Sequence, residues 1–305
     1  MLVFVLRRLG ISLCVALTVS ILSFALLHFS GDLAISIAGP DASFEQIEQI
    51  RKQLGLDQPM INQYLTWLYK VLHLDLGNSF FFQDSVVNLI ASRLPITMGL
   101  GASALVLSLI ISIPLGIIAA VKKDTWIDRA ALSFAVLGQA LPNFWFALML
   151  IVVFSVTLHW LPVSGNTTYL HFVMPTIALA YYAIPSIMRL TRAGMLDVLS
   201  ADYIRTAKAK GLRPGRIIFK HAFRNALIPV VALAAVEFGM MLGGSVVIET
   251  VFALQGIGQL AWDGISRNDF PVVQAVVLLV ALIYIVLTLV ADVLNAMLDP
   301  RIRVK

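Results

Sequence analysis

The sequence predicts an all-α polytopic membrane protein. It has six transmembrane helices, a structured loop after the first on one side and a charged hairpin between the fourth and fifth on the other. Hydrophobic residues make up 59% of the 305 and charged residues 13%, against about a quarter charged in soluble domains. Mean hydropathy is +0.90. Six apolar runs, at about 9–30, 95–121, 132–158, 171–191, 228–250 and 272–293, match the roughly 20 residues a helix needs to cross a bilayer. Length alone would allow two soluble domains, but hydropathy overrules that prior.

The first unit, residues 1–30, is a short N-terminus and the first span. Its apolar core of about 20 residues, after Arg7 and Arg8, exceeds the 7–15 of a cleaved signal, so an uncleaved helix is expected, with cleavage near Ala38 as the alternative. The single cysteine, Cys14, lies inside this run and excludes an intrachain disulfide.

Residues 31–94 form a loop long enough to carry structure. Ser43 followed by Gln46 has capping-box spacing, and the run to Leu54 stops at Gly55, a common helix end. Met60 to Leu72 is a second amphipathic stretch. It carries Tyr64, Trp67 and Tyr69, residue types that favour the headgroup layer. The loop is expected to lie on the outer face of the membrane or over the helix bundle.

The remaining spans form a core over residues 95–293, followed by a tail at 294–305. Orientation follows from Lys and Arg, which are retained on the cytoplasmic side. Two precede the first span, and Lys122, Lys123 and Arg129 separate the second from the third. Nine run from Arg189 to Arg224, and Arg301, Arg303 and Lys305 close the chain. Only Arg51, Lys52, Lys70, Arg93 and Arg267 of the 22 fall on the other side. Both termini are therefore expected in the cytoplasm. This placement accounts for the pI of about 9.4, and no nucleic-acid partner is expected.

The hairpin, residues 192–227, contains the stretch "ADYIRTAKAKGLRPGRIIFKHAFRNALIP". Asp202 to Lys210 reads as a short helix interrupted at Gly211, and Pro214 suits the first turn of a second. Arg213, Arg216, Lys220 and Arg224 are spaced three, four and four apart, which puts them on one face. Such a face can rest on anionic lipid. Docking against another protein is favoured by the small residues Ala207, Ala209 and Gly211, and by Pro229, which starts the next span at once.

This stretch resembles the cytoplasmic loop shared by permease subunits of ATP-binding-cassette importers, a degenerate E-A-A-x-x-x-G motif. The matching positions are Arg205, Thr206, Ala207 and Gly211, without the leading Glu. Other features follow the order and spacing of the dipeptide, oligopeptide and nickel permease family, and on them the chain is identified as a member. They are "FVLRRLG", "LGLDQPMINQYLTWL", "LDLGNSF", "LPNFW", "WLPVSG", "MLDVLSADYIRTAKAKGL", "HAFRNALIPV", "LGGSVVIETVFALQGIGQL", "RNDFPVVQA" and "LDPRIR". One departure is Leu254 and Gln255, where relatives commonly carry Trp-Pro.

The resemblance implies a type I importer permease fold in the inner membrane of a bacterium or archaeon. It implies a homologous second permease as heterodimer partner, two cytoplasmic ATPases and an external substrate-binding protein. Asp202 to Leu212 would be the coupling helix. Asp202, Arg205, Thr206, Ala207, Lys208, Gly211 and Leu212 would meet the ATPase, with Ala207 and Gly211 closest. ATP and magnesium would be used by those partners. This chain has no G-x-x-x-x-G-K-[ST] loop, and no cofactor or metal of its own is expected. Cargo would be peptides of a few residues, with nickel or metal chelates, glutathione or opines as alternatives.

Polar residues inside spans carry two readings each. Glu237 in the fifth span, and Gln139 and Asn143 beside Pro142 in the third, line a translocation path or bond between helices. Gly239 and Gly243 permit close helix approach, and Pro142, Pro175 and Pro185 are expected to bend their helices. Glu249 with Gln255, Gly256 and Gly258 at the outer end of the fifth span either contacts a docked binding protein or shapes a tight turn. Two other function classes lack support. A secondary transporter would show inverted repeats around an ion site, and no repeated pattern is present. An intramembrane enzyme would need a nucleophile with its base, yet Ser103 and Ser108 have no nearby histidine and G-x-S-x-G is absent.

Overall fold

The computed structural model describes residues 2–29, 33–38, 42–53 and 55–298. Leu54 and the tail residues Asp299, Arg301, Arg303 and Lys305 lie outside them. Among the described residues the regular elements are helices, with one isolated bridge between Asn78 and Ser85.

Five helices are long and apolar enough to cross a membrane. They are α1 (Leu2–Phe29), α5 (Val86–Val121), α8 (Leu170–Ser200), α12 (Ile228–Val251) and α14 (Phe270–Leu298). The third expected span is not one helix, which corrects the sequence expectation. It is divided into α6 (Trp126–Ala140) and α7 (Asn143–Leu150), the latter running into a π-helical segment, Ile151–Thr157. The break falls at Leu141, which is extended at φ −92° and ψ 132°. A residue before proline is pushed away from helical dihedrals, and Pro142 then caps the restart by accepting from Phe146 N at 3.1 Å. Pro175 and Pro185, by contrast, stay inside an unbroken α8, where both are buried. Neighbouring helices can resatisfy backbone groups freed by proline in this way.

The core forms where α5, α8 and α12 meet, around Leu100, Ala104, Met174, Leu179, Ile187, Met241 and Ile248. Small residues set the spacing. A Cβ on Gly116 of α5 would lie 2.7 Å from Thr191 Cβ and 2.8 Å from the Met188 carbonyl of α8. Gly239 of α12 packs against the Tyr284 ring of α14 in the same way, as expected, whereas Gly243 faces open space. Helix α1 sits at the edge, held to α14 by Ser23 Oγ donating to the Gln274 carbonyl at 3.2 Å and by an Arg8–Asp292 ion pair at 2.7 Å.

The loop after α1 carries α2 (Leu33–Ala38), α3 (Phe44–Gln53) and α4 (Met60–Leu72). The capping box forms: Ser43 N donates to Gln46 Oε1 at 2.9 Å, and Gln46 N to Ser43 Oγ at 3.3 Å. Tyr64 and Trp67 face protein rather than the membrane surface. Tyr64 OH shares a 2.7 Å hydrogen bond with Ser20 Oγ, and both rings lie within 6 Å of the Phe24 ring. The chain then returns to the bundle through Asp269, just ahead of α14. Its buried carboxylate accepts from Ser79 Oγ and from Phe81 N at 3.2 Å.

Candidate functional site: a two-faced hairpin and buried carboxylates

After α8 the chain turns at Ala201, which is extended, and enters α9 (Asp202–Ala209). Two faces result. Ile204 and Ala207 turn inward and join Ile117 and Ala120 of α5 and Met195 of α8 in one apolar cluster. Asp202, Arg205, Thr206 and Lys208 are exposed on the other face. Ala207, expected at the partner-facing surface, is only 7% exposed. Its small side chain serves close packing within this chain.

Gly211 is required by the backbone. Its φ is +73°, and a Cβ there would meet nothing within 4 Å. Gly211 N donates to Lys208 O at 3.0 Å and Leu212 N to Ala207 O at 3.3 Å. These two bonds form a Schellman motif, in which glycine takes the left-handed position without steric cost. The break predicted at Gly211 is present, and its cause is a helix cap rather than a close contact. Leu212 is half-buried against the same cluster.

The second arm runs through α10 (Pro214–Arg216), a π-helical segment (Ile217–Ala222) and α11 (Phe223–Ala226). Ile217, Ala222 and Ala226 complete the buried cluster. Arg213, Arg216, Lys220 and Arg224 are all exposed, together with Phe219. The arm is pressed onto α8, since a Cβ on Gly194 would lie 3.0 Å from the Ala226 carbonyl. Only Leu227 separates it from α12. The hairpin is thus fastened to α5, α8 and α12 together.

A nearby ion pair braces the same region. Arg192 of α8 forks onto Asp128 of α6, with Nε to Oδ1 at 2.6 Å and Nη2 to Oδ2 at 2.7 Å. Asp124 N adds a bond to Oδ2 at 3.1 Å. Asp128 is 2% exposed. The hydrogen bonds from Arg192 hold its carboxyl below the ordinary value against the opposing pull of burial. Sequence reasoning missed this pair, because no local spacing connects positions 64 residues apart.

Within the bundle, Glu237 is 5% exposed. It faces Ser186 of α8, and its Oε2 has no hydrogen-bond partner. Gln139 is exposed and accepts from Arg189 Nη1 of α8 at 2.9 Å. Two of the path candidates therefore meet α8 within one turn, at Ser186 and Arg189. Asn143 is half-buried and lies beyond the Leu141–Pro142 break, so it does not share a continuous helix with Gln139.

At the opposite end of α12, Glu249 is fully buried. It accepts from Thr97 Oγ1 at 2.7 Å and from Gln259 N at 3.1 Å, and Thr97 Oγ1 accepts in turn from Ile257 N at 2.8 Å. The carboxylate thus staples the turn to α5 just where α13 (Ile257–Ser266) begins. Gly256 and Gly258 are enclosed beside it, and a Cβ on Gly256 would run into Glu249 and Thr97. Of the two readings of Glu249, Gly256 and Gly258, the geometry is that of the tight turn, because the carboxylate already accepts from Thr97 Oγ1 and Gln259 N and both glycines are buried. Gln255 alone of the four is exposed.

Comparisons with known proteins agree along the chain. Residues 112–304 match the family described as "Binding-protein-dependent transport system inner membrane component". Residues 1–101 match its companion, "Binding-prot-dependent transport system membrane comp, N-term". A Brucella abortus (strain 2308) protein, whose name places it among peptide transport system permeases, is 40% identical over 98% of both chains. The glutathione transport system permease protein GsiC of Escherichia coli (strain K12) is 42% identical over the full length of both. Among solved structures, a chain of the MetNI methionine ABC transporter in an inward-facing conformation superposes with a TM-score of 0.59 at 17% identity. It covers 69% of this chain and 96% of that one. At that identity the likeness bears on fold alone.

Proposed function

Since the chain belongs to the family of binding-protein-dependent transport system inner membrane components, we propose that it is the pore-forming permease subunit of an ATP-driven importer. Its cargo in this proposal is a di- or oligopeptide or a related small solute. The names of the Brucella and Escherichia coli relatives support peptides and glutathione; nickel or metal chelates and opines are the alternatives. The subunit works with a homologous second permease, two cytoplasmic ATPases and an external binding protein. Both termini and the hairpin face the ATPases, in keeping with the clustering of Lys and Arg.

One observation carries the mechanism: α9 is apolar and locked inward on one face, charged and free on the other. Asp202, Arg205, Thr206 and Lys208 present the free face to the ATPase, and the Schellman turn at Gly211 sets the angle of the second arm. ATP binding brings the ATPases together and carries α9 with them. The shared cluster passes that displacement to α5 and α8, and the short joint at Leu227 passes it to α12. Glu237 and Gln139 both meet α8 within one turn, so that movement changes their surroundings and the opening of the path. ATP and magnesium stay with the partner subunits.

Charge reversal at the free face tests this. In reconstituted transporter, Arg205→Glu with Lys208→Glu should lower substrate-stimulated ATP hydrolysis and uptake about tenfold or more, since like charge across an interface costs several kcal/mol. The chain should still insert, because neither side chain belongs to the buried cluster. Unaltered coupling in the double variant would remove α9 from the ATPase contact.

A further inference from the structure

The second arm of the hairpin carries a basic face that the α9 contact does not use. Ala207 and Gly211, the small residues that pointed the hairpin toward another protein, are taken up within this chain, one packed inward and the other capping a helix. Arg213, Arg216, Lys220 and Arg224 remain, all exposed, with Phe219 exposed among them. Among the described residues none of the four is ion-paired to an acid, and residues 203–236 hold no Asp or Glu. The free face of α9 differs, since it sets Arg205 beside Asp202 at 3.6 Å. A mixed face suits a protein partner, whereas a face of one sign suits a surface of the opposite sign.

Contacts put the root of this arm at the boundary between membrane and water. Arg224 is the last charged residue before α12 opens at Ile228. Ala226 lies against Gly194 of α8. Two residues earlier in α8 is Arg192, whose partner Asp128 follows Trp126 by two positions. Trp126 is 77% exposed and stands between Lys122, Lys123 and Arg129, just after the apolar run of α5 ends at Val121. A tryptophan bracketed by cations at the end of a spanning helix marks the headgroup level. The arm turns Ile217, Ala222 and Ala226 toward α5 and α8, so its basic face looks away from the bundle and onto the surrounding leaflet. From Arg213 to Arg224 it is at most about 16 Å long at 1.5 Å per residue, which keeps the whole stripe close to the lipid surface.

We propose that this face binds anionic phospholipid headgroups of the leaflet on its own side of the membrane, taking phosphatidylglycerol-type lipid in preference to zwitterionic lipid. The four cations meet the phosphates, and Phe219 sits between the headgroups. Each cation near such a surface strengthens the attraction about fivefold. The first arm is thereby left to the ATPase and the second to the leaflet. The lipid contact does not rest on the importer reading, and its test measures no transport.

The full chain with its co-assembling subunits is placed in nanodiscs of phosphatidylcholine, alone or in equal parts with phosphatidylglycerol. Phe219→Cys puts a thiol on the basic face, and its reaction with a water-soluble maleimide is followed by the mass of the arm's peptide. Phosphatidylglycerol should slow that reaction at least about fivefold. Equally slow reaction in both discs would assign the face to a protein subunit, and equally fast reaction would leave it to solvent; either result overturns the proposal. Adding Arg213→Gln, Arg216→Gln, Lys220→Gln and Arg224→Gln should restore the fast rate, whereas Arg213→Lys, Arg216→Lys and Arg224→Lys should keep it slow. All four side chains lie outside the buried cluster, so the Tm of both variants in phosphatidylcholine should match the parent's. Protection that persists in the Gln variant would trace to the potential of the leaflet itself and overturn the assignment. Equal protection by inorganic phosphate in phosphatidylcholine discs would make the ligand a free anion and overturn it as well.

Discussion

Gly211 and Asp128 show how much a single position can hold. At Gly211 the left-handed φ of +73° costs an ordinary L-residue about 1–2 kcal/mol, with asparagine tolerated better. Gly211→Val should therefore abolish uptake and ATPase coupling while insertion persists, and Gly211→Asn should keep most of both. Equal activity of the two variants would show that the turn does not govern coupling. At Asp128 the fork from Arg192 lowers the carboxyl's affinity for a proton. A group with a depressed folded pKa contributes stability above its unfolded value of about 3.9 that is lost as pH falls through the folded value. Asp128→Asn should lower Tm at pH 7 by the equivalent of about 3 kcal/mol, the lower end for a broken buried pair, because Arg192 keeps some solvent contact. The gap from wild type should narrow below about pH 4, and thermal melts across pH 3–8 would measure it.

Among the helices, the contrast between prolines is informative. Pro142 ends α6, yet Pro175 and Pro185 leave α8 intact. The difference lies in the neighbours, since α8 is buried in the densest part of the bundle and α6 is largely exposed around its break. The Glu249 staple joins α5, α12 and the start of α13 through Thr97. Thr97→Val would leave the carboxylate and the Ile257 N–H short of partners, and should destabilise the fold by about 1–3 kcal/mol. Denaturation of the purified chain would register the loss. A Tm equal to the parent's would mean that the turn stands without the staple. Both helix ends in the hairpin were legible beforehand, because a glycine cap and an N-terminal proline act within a few residues. The facing of Ala207 was not, since a small residue on a short helix suits close packing on either side.

For the molecule as a whole, the proposed importer draws its energy from a separate subunit. Uptake by the complete assembly should stop within one turnover when ATP is depleted, even with the proton gradient held. Labelled-substrate flux into vesicles is the measurement, and continued flux would make this chain a gradient-driven carrier. Fastening of the hairpin to three long helices at once is what makes such coupling mechanical rather than diffusive.

Composition and apolar run length settle that the chain lives in a bilayer, where most of the long helices fall, and where caps and breaks begin. These follow from the solvent and from neighbours a few positions apart, because lipid demands that each spanning segment satisfy its own backbone. Rotation of each helix about its axis, and partners distant in the chain, emerge only from packing. Glu249 reads equally as an outward contact or as part of a turn until Thr97, 152 positions away, is found beside it.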